Sequence, residues 1–292
     1  MPLIARLLAA LPQVLLILLA AWSGVTRAEP REQIVWTVRD MPPFNILEGP
    51  LKGQGIADRL LELIRGSMPQ YEHVNTRVNR ARANQMLNGN VLACDPGLLW
   101  SKERAQIMHF SIPTMGLMTN GVVIRKQQEA ELAAFVQADG FDLQAFIADE
   151  RYSLGTLVER SYGPVIDAEL ARAEPDRLLV HHGNNASLSL LRMQQHGRLT
   201  AVLGYWPEVR YLADNDGIDL EQLRFYSVKG VPTYQLAYIT CSKTPQGLKA
   251  IAAINQQLLG LREGQIIDLY ARWLDEPTRV AYLEAAKRFF KQ

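Results

Sequence analysis

Residues 34–58 read IVWTVRDMPPFNILEGPLKGQGIAD, and this stretch decides the architecture. Ile34 to Val38 is short, apolar and β-branched, the composition of a strand. Pro42-Pro43 then breaks it, because two prolines cannot sit in a central ladder. Beyond the break, Ile56, Leu60, Leu63 and Ile64 fall on one helical face, and Gly66 stops that helix. Strand, prolyl loop and amphipathic helix in succession form one unit of an α/β sheet.

Moving outward, residues 79–88 predict a second helix, closed by Asn88-Gly89, and Val91 to Cys94 a second strand. Pro96-Gly97 reads as a turn, and Ser101-Lys102-Glu103-Arg104 as a helix start with Ser101 as N-cap. Gly121 to Ile124 is a further strand. The middle of the chain repeats this plan. Tyr152 to Leu154 runs as a strand into Gly155-Thr156, where a helix is expected to begin. Residues 187–196 are helical, Gly197 ends them, and Leu199 to Leu203 follows as a strand. "Helix, Gly, strand, polar-aromatic loop" therefore occurs twice, which predicts two lobes of similar construction. The C-terminal part is helical: Ile266, Tyr270, Trp273 and Leu274 share a face, Pro277 interrupts, and residues 278–290 form a last helix. Strands alternating with helices predict parallel or mixed sheets, which bind ligands in crevices at the carboxyl ends of their strands.

At the other end, Arg6 precedes an apolar run from Leu7 to Ala21, and Thr26-Arg27-Ala28 places small residues at the −3 and −1 positions of a cleavage site. This is the layout of a secretory signal peptide. The run is shorter than the ~20 residues of a spanning helix, and no cysteine marks a lipoprotein. The expectation is export to the periplasm with cleavage near Ala28. Loss of residues 1–28 takes Arg6 and Arg27 from 31 basic residues, leaving 29 against 30 acidic, a balance of −1. A near-neutral chain gives no electrostatic reason to expect nucleic acid or an anionic membrane. Export permits a disulfide between Cys94 and Cys241. Their distant positions lead us to expect two separately buried thiols instead.

From Ile34 to Lys126 the chain resembles the family-three extracellular solute-binding proteins of the polar-amino-acid type. The resemblance rests on Pro42-Pro43-Phe44, then Gly53-Gln54-Gly55-Ile56-Ala57-Asp58, then Gly89, Ser101-Lys102-Glu103-Arg104 and Phe110-Ser111-Ile112-Pro113, in that order and spacing. Gly155-Thr156, Gly197 and the tail from Gly264 to Leu274 extend it over nearly the whole mature chain. It looks like a branch without a firmly assigned ligand. The resemblance implies a two-lobed α/β fold (type II), each lobe a mixed sheet flanked by helices around a cleft. Residues 29–112 with 228–292 would form lobe one, and 113–227 lobe two.

It also implies a site. Arg104, at a helix start, would hold a solute carboxylate through two parallel hydrogen bonds. Phe44 would cover the solute. Asp40 and Asp95 are candidate acidic contacts, and Ser101 and Thr156 candidate hydroxyl contacts. Trp100, Tyr205 and Trp206 occupy the two equivalent loops, where aromatic rings suit a sandwiched solute. Each residue also has an ordinary structural reading: surface ion pair, turn cap or packing. Amino-acid binders usually carry an Asp in the second lobe for the ligand ammonium; here Thr200 and Gly204 stand there, and Leu92 replaces an Asp of the first-lobe strand. Glu208 is the nearest substitute.

His181-His182 lacks a third metal ligand at matching spacing and reads as a surface pair. There is no phosphate-binding glycine loop, Gly-x-Ser-x-Gly or Cys-His nucleophile pattern, and Arg125-Lys126 reads as a solvated strand end. The expectation is a monomeric periplasmic receptor, not an enzyme and without cofactor. It would close on a small polar, carboxylate-bearing solute and deliver it to an ABC permease. The alternatives are a ligand-sensing receptor for a membrane signalling protein, and a dehydratase-like enzyme on the same fold.

Overall fold

A computed structural model describes residues 31–183 and 185–291. The expected signal peptide and its cleavage point lie outside them. Among the described residues no helix is long and apolar enough to cross a membrane.

The strands are β1 (Glu32–Val38), β2 (Tyr71–Arg77), β3 (Ala93–Leu99), β4 (Met108–Phe110), β5 (Met115–Met118), β6 (Gly121–Arg125), β7 (Val136–Gln137), β8 (Gly140–Phe141), β9 (Leu154–Leu157), β10 (Leu178–His181), β11 (Ala201–Gly204), β12 (Leu223–Ser227) and β13 (Tyr234–Ser242). The α-helices are α1 (Ile56–Ser67), α2 (Arg80–Leu87), α3 (Lys102–Ile107), α4 (Leu143–Ala148), α5 (Pro164–Arg172), α6 (Ala186–Gln195), α7 (Trp206–Asp216), α8 (Pro245–Leu261), α9 (Gln265–Ala271) and α10 (Glu276–Ala286).

Two mixed sheets organise the chain. The first runs β2-β1-β3-β13-β4, with β5 also paired to β13; the second runs β10-β9-β11-β6-β12. β1 and β3 are parallel, as are β10, β9 and β11, while β13 and β6 run antiparallel to their neighbours. Each sheet has its own apolar core. Ile34 and Trp36 pack with Leu60 and Ile64 of α1 and Ile254 of α8, and Val122 and Leu203 pack with Phe141 and Phe146. The C-terminal helices return to the first sheet. The Tyr270 hydroxyl accepts from the Met118 N–H at 3.0 Å, and the Tyr282 hydroxyl donates to the Gly116 carbonyl at 2.9 Å.

The strand after Pro113 stays in the first sheet, so the chain leaves that sheet only after Met118. It crosses through Thr119-Asn120 and returns through residues 228–233. The two crossings are tied together, Thr119 donating its N–H to the Thr233 carbonyl at 3.0 Å.

Four local expectations are corrected. Cys94 and Cys241 form a disulfide. They stand opposite each other in the β3–β13 ladder, Cα atoms 4.0 Å apart, so sequence distance was no guide to spatial distance. Pro96-Gly97 is not a turn but part of β3: β13 pairs Thr240 with Asp95 and Tyr238 with Leu98, so both residues oppose Ile239 alone in a bulge. Gly155-Thr156 does not begin a helix. β9 continues to Leu157 and α5 starts at Pro164. Gly155 is a packing residue, since a Cβ there would lie 2.5 Å from Leu199 Cδ2. Pro277 opens α10 within its first turn, where its missing N–H costs nothing.

Candidate functional site

A cavity of about 440 Å³ lies between the two sheets' elements. Its walls are Arg39–Met41 after β1, Val78–Ala81 after β2, Leu157–Arg160 after β9, His181–Gly183 after β10, and Ala186, Ser187 and Glu208. Four of these segments begin at the carboxyl ends of strands, where backbone groups leave the ladder and side chains are free to face a ligand.

Two of the wall's arginines are already neutralised. Arg39 forms an ion pair with Asp95, a fully buried carboxylate that also accepts from the Thr37 hydroxyl and the Gly97 N–H, each at 3.0 Å. Burial opposes ionisation of Asp95, but the Arg39 guanidinium and these hydrogen bonds outweigh it and hold the carboxyl below the usual range. On the second lobe, Arg160 meets Glu208 through two parallel contacts of 2.6 and 3.2 Å, both side chains 3% exposed. Ser187 donates to Glu208 at 2.7 Å, and the Arg160 guanidinium lies 5.0 Å from the Tyr205 ring centre. Burial works against this charge too, and Glu208 reverses the sign, so Arg160 sits above its ordinary pKa.

Arg80 differs. Asn79 caps α2 by accepting the Arg82 N–H at 2.8 Å, which sets Arg80 as the first helical residue on the cavity wall. Its side chain has no hydrogen bond or ion pair among the described residues. Burial, with repulsion from Arg39 and Arg160, pulls its pKa down to about 10. Asp95 and Glu208 act on it only from a distance, so it remains a cation at neutral pH, partly desolvated and without a contacting counter-charge among the described residues, the state that an arriving oxyanion relieves.

Of the nine site residues read from the sequence, Asp40 alone is part of this cavity's wall. Asp40 lines it, 3.6 Å from Arg77. Phe44 and Tyr205 meet at the seam between the lobes, ring centres 5.6 Å apart, and the Tyr205 hydroxyl accepts from Gln235 at 3.1 Å. Asp95 is engaged with Arg39. Ser101 caps α3, accepting the Arg104 N–H at 3.3 Å. Arg104 donates to the Leu99 carbonyl at 2.9 Å; burial lowers its pKa, against the opposing fields of Asp95 and of Asp167 from the second lobe. Trp100 is 53% exposed, Trp206 packs 5.5 Å from the Phe225 ring, and Thr156 is buried within β9 opposite Val180. His181 and His182, read as surface residues, line the cavity, and among the described residues no metal-binding cluster forms. The sequence reading did not single out Arg39, Arg80 or Arg160. The available signal was an arginine one to three residues beyond each of three strand ends.

No family model and no curated protein matches the sequence. Solved structures do match. A histidine kinase sensor domain with similarity to periplasmic binding proteins superimposes with TM-score 0.64 at 17% identity, covering 85% of this chain and 98% of its own. A Streptococcus mutans structure from glutathione import via GshT and the cystine ABC importer TcyBC gives 0.64 at 14%, covering 86% and 100%. An ancestral arginine-binding protein bound to glutamine gives 0.61 at 16%, covering 85% and 100%. At such identities the likeness is one of fold. The chain has the two-lobed type II fold of the periplasmic binding proteins, with mixed sheets flanked by helices, and is divergent in sequence from these neighbours.

Proposed function

We propose that this chain is a periplasmic receptor for a small oxyanion-bearing solute, carboxylates foremost, which binds between the lobes and draws them together. The first lobe would comprise the residues up to Met118 and from Tyr234 onward, the second residues 121–227, hinged at Thr119-Asn120 and residues 228–233. The observation that carries the reading is Arg80, a half-buried cation with no hydrogen bond or ion pair among the described residues, on a cavity whose walls come from both lobes. Closure follows because only the shut form lets both walls touch the solute. Arg80 takes the anchoring role in this reading; Arg104 does not line the cavity and donates to the Leu99 carbonyl.

Delivery to an ABC importer is the first proposed outcome, in line with the neighbour from cystine import. Signalling is the second, favoured by the neighbour that is a histidine kinase sensor domain. The test of binding is a thermal-shift screen of the mature chain against mono- and dicarboxylates, sulfonates and phosphate. A stabilising anion whose effect disappears in Arg80→Gln supports the reading. Equal shifts in Arg80→Gln, or no shift with any anion, contradict it. In-cell crosslinking from the exposed surface would then separate a permease partner from a signalling one.

A further inference from the structure

Arg160 and Glu208 line the cavity, but Arg160 also meets three residues that do not. Its guanidinium lies 5.0 Å from the centre of the Tyr205 ring and 5.4 Å from that of Tyr162, both within cation–π range. It also donates to the Asn120 side-chain oxygen at 3.5 Å. Asn120 stands in the first crossing segment between the sheets, is fully buried, and donates its own amide to the Tyr162 carbonyl at 3.3 Å.

The strand register explains why these groups converge. Gly121 of β6 pairs with Gly204 of β11 at the end of their ladder, so Asn120 and Tyr205 leave it side by side. Tyr205 is the N-cap residue of α7, and Glu208 lies in the first turn of that helix. α7 therefore offers Arg160 a ring and a carboxylate about one turn apart. Tyr205 also touches the first lobe. Its hydroxyl accepts from Gln235 of β13 at 3.1 Å, and its ring lies against Phe44. Packed side chains thus run from the cavity wall through Arg160 and Tyr205 to the first lobe, beside the crossing segment.

We propose that Tyr205 is a positioning residue for closure, which transmits the seating of the Arg160–Glu208 pair to the first lobe and so sets the balance of open and closed forms. The proposal rests on the hinged two-lobe reading and not on which solute binds. Whatever disturbs the pair on the wall moves the Tyr205 ring against Phe44 and bends its bond to Gln235. Such coupling is carried by contiguous packed groups, and double-mutant cycles measure it.

The experiment is pulsed electron paramagnetic resonance on the mature chain, spin-labelled at Lys249→Cys in the first lobe and Ala168→Cys in the second. Both positions are exposed, and the native cysteines are joined to each other. Tyr205→Phe keeps the ring and removes only the hydroxyl. It should raise the ratio of long to short interlobe distances roughly twofold to tenfold, the worth of one hydrogen bond. Glu208→Gln should raise the ratio too, and should add nothing in a chain already carrying Tyr205→Leu. Ser187→Ala, which removes one of the Glu208 partners, takes its place if Glu208→Gln does not fold. A wall variant without effect, or with the same effect in both backgrounds, would overturn the proposal. So would an unchanged ratio in Tyr205→Phe, whatever its cost in urea unfolding, because a merely structural residue lowers stability alone. Phe44→Ala separates the two readings: a shift there and none elsewhere leaves the hinge standing, and no shift in any variant overturns both.

Discussion

The ring of Phe44, in the first lobe, lies 5.6 Å from the ring of Tyr205, in the second, at an interplanar angle of 53°. Both side chains are nearly buried, at 7% and 5% exposed. On α7, Arg210 forms an ion pair of 2.6 Å with Asp275, and the Tyr211 ring lies 5.9 Å from that of Trp273. The lobes are thus apposed, with an apolar contact at the seam and a half-exposed ion pair beside it. Partial exposure keeps that ion pair worth little, about 0.2–1 kcal/mol, so the rings dominate. Phe44→Ala should shift the chain toward an open form, raising the radius of gyration in solution scattering. Its cost should approach the lower end of the about 3–5 kcal/mol of buried Phe→Ala changes. An unchanged radius of gyration would assign Phe44 to the first core alone.

Asp95 makes stability depend on acid. Its folded pKa is depressed, so the stabilisation it contributes is present above the unfolded value of about 3.9 and is lost as pH falls through the folded value. Urea unfolding of the wild type should therefore weaken progressively below about pH 4. Asp95→Asn should be less stable at neutral pH and show a shallower acid slope. A slope as steep as the wild type's would place the acid sensitivity elsewhere.

Arg160 and Glu208 form a pair that is costly to break singly. Glu208→Gln leaves a buried guanidinium without its counter-charge and should cost about 3–5 kcal/mol in denaturant unfolding. Replacing both partners, as Arg160→Met with Glu208→Leu, should recover most of that loss, because two apolar groups need no compensation. Additive losses in the double variant would show that Ser187 and Tyr205 contacts, not the pair, hold this corner.

The Cys94–Cys241 disulfide joins β3 to β13 across 147 residues of sequence that include the whole second sheet. Changing both cysteines to alanine should lower the unfolding free energy by about 2–5 kcal/mol. Both positions are fully buried, so the folded chain should resist reduction under native conditions and yield only when unfolded. Rapid reduction of the native protein would contradict this protection.

Much of the fold was legible because it follows from periodicity. The helical faces of Ile56-Leu60-Ile64 and Ile266-Tyr270, and the twofold "helix, Gly, strand" plan, all lie in the cores and sheets where they were expected. Pro96-Gly97 misled because a bulge opposite Ile239 absorbs both residues, and a bulge depends on a strand far away in sequence. The site was less legible for a related reason. Sequence motifs marked Arg104 and Asp95, but their freedom to meet a solute depends on their partners. Asp95 is held by Arg39, and Arg104 by the Leu99 carbonyl. Arg80 stands out only once Arg39, Asp40, Arg160 and Glu208 are seen to be paired, and pairing between residues distant in sequence has no local signature.

Whether Arg80 anchors a bound solute is tested most directly by native mass spectrometry of protein purified without denaturation. Wild type should carry a small noncovalent adduct, released on unfolding, whose identified mass belongs to a molecule with an acidic group. Arg80→Gln, purified identically and shown folded, should carry it at no more than about a tenth of the occupancy, since losing a charge-assisted contact costs about 1.5–3 kcal/mol. The same adduct at equal occupancy on Arg80→Gln would contradict the account.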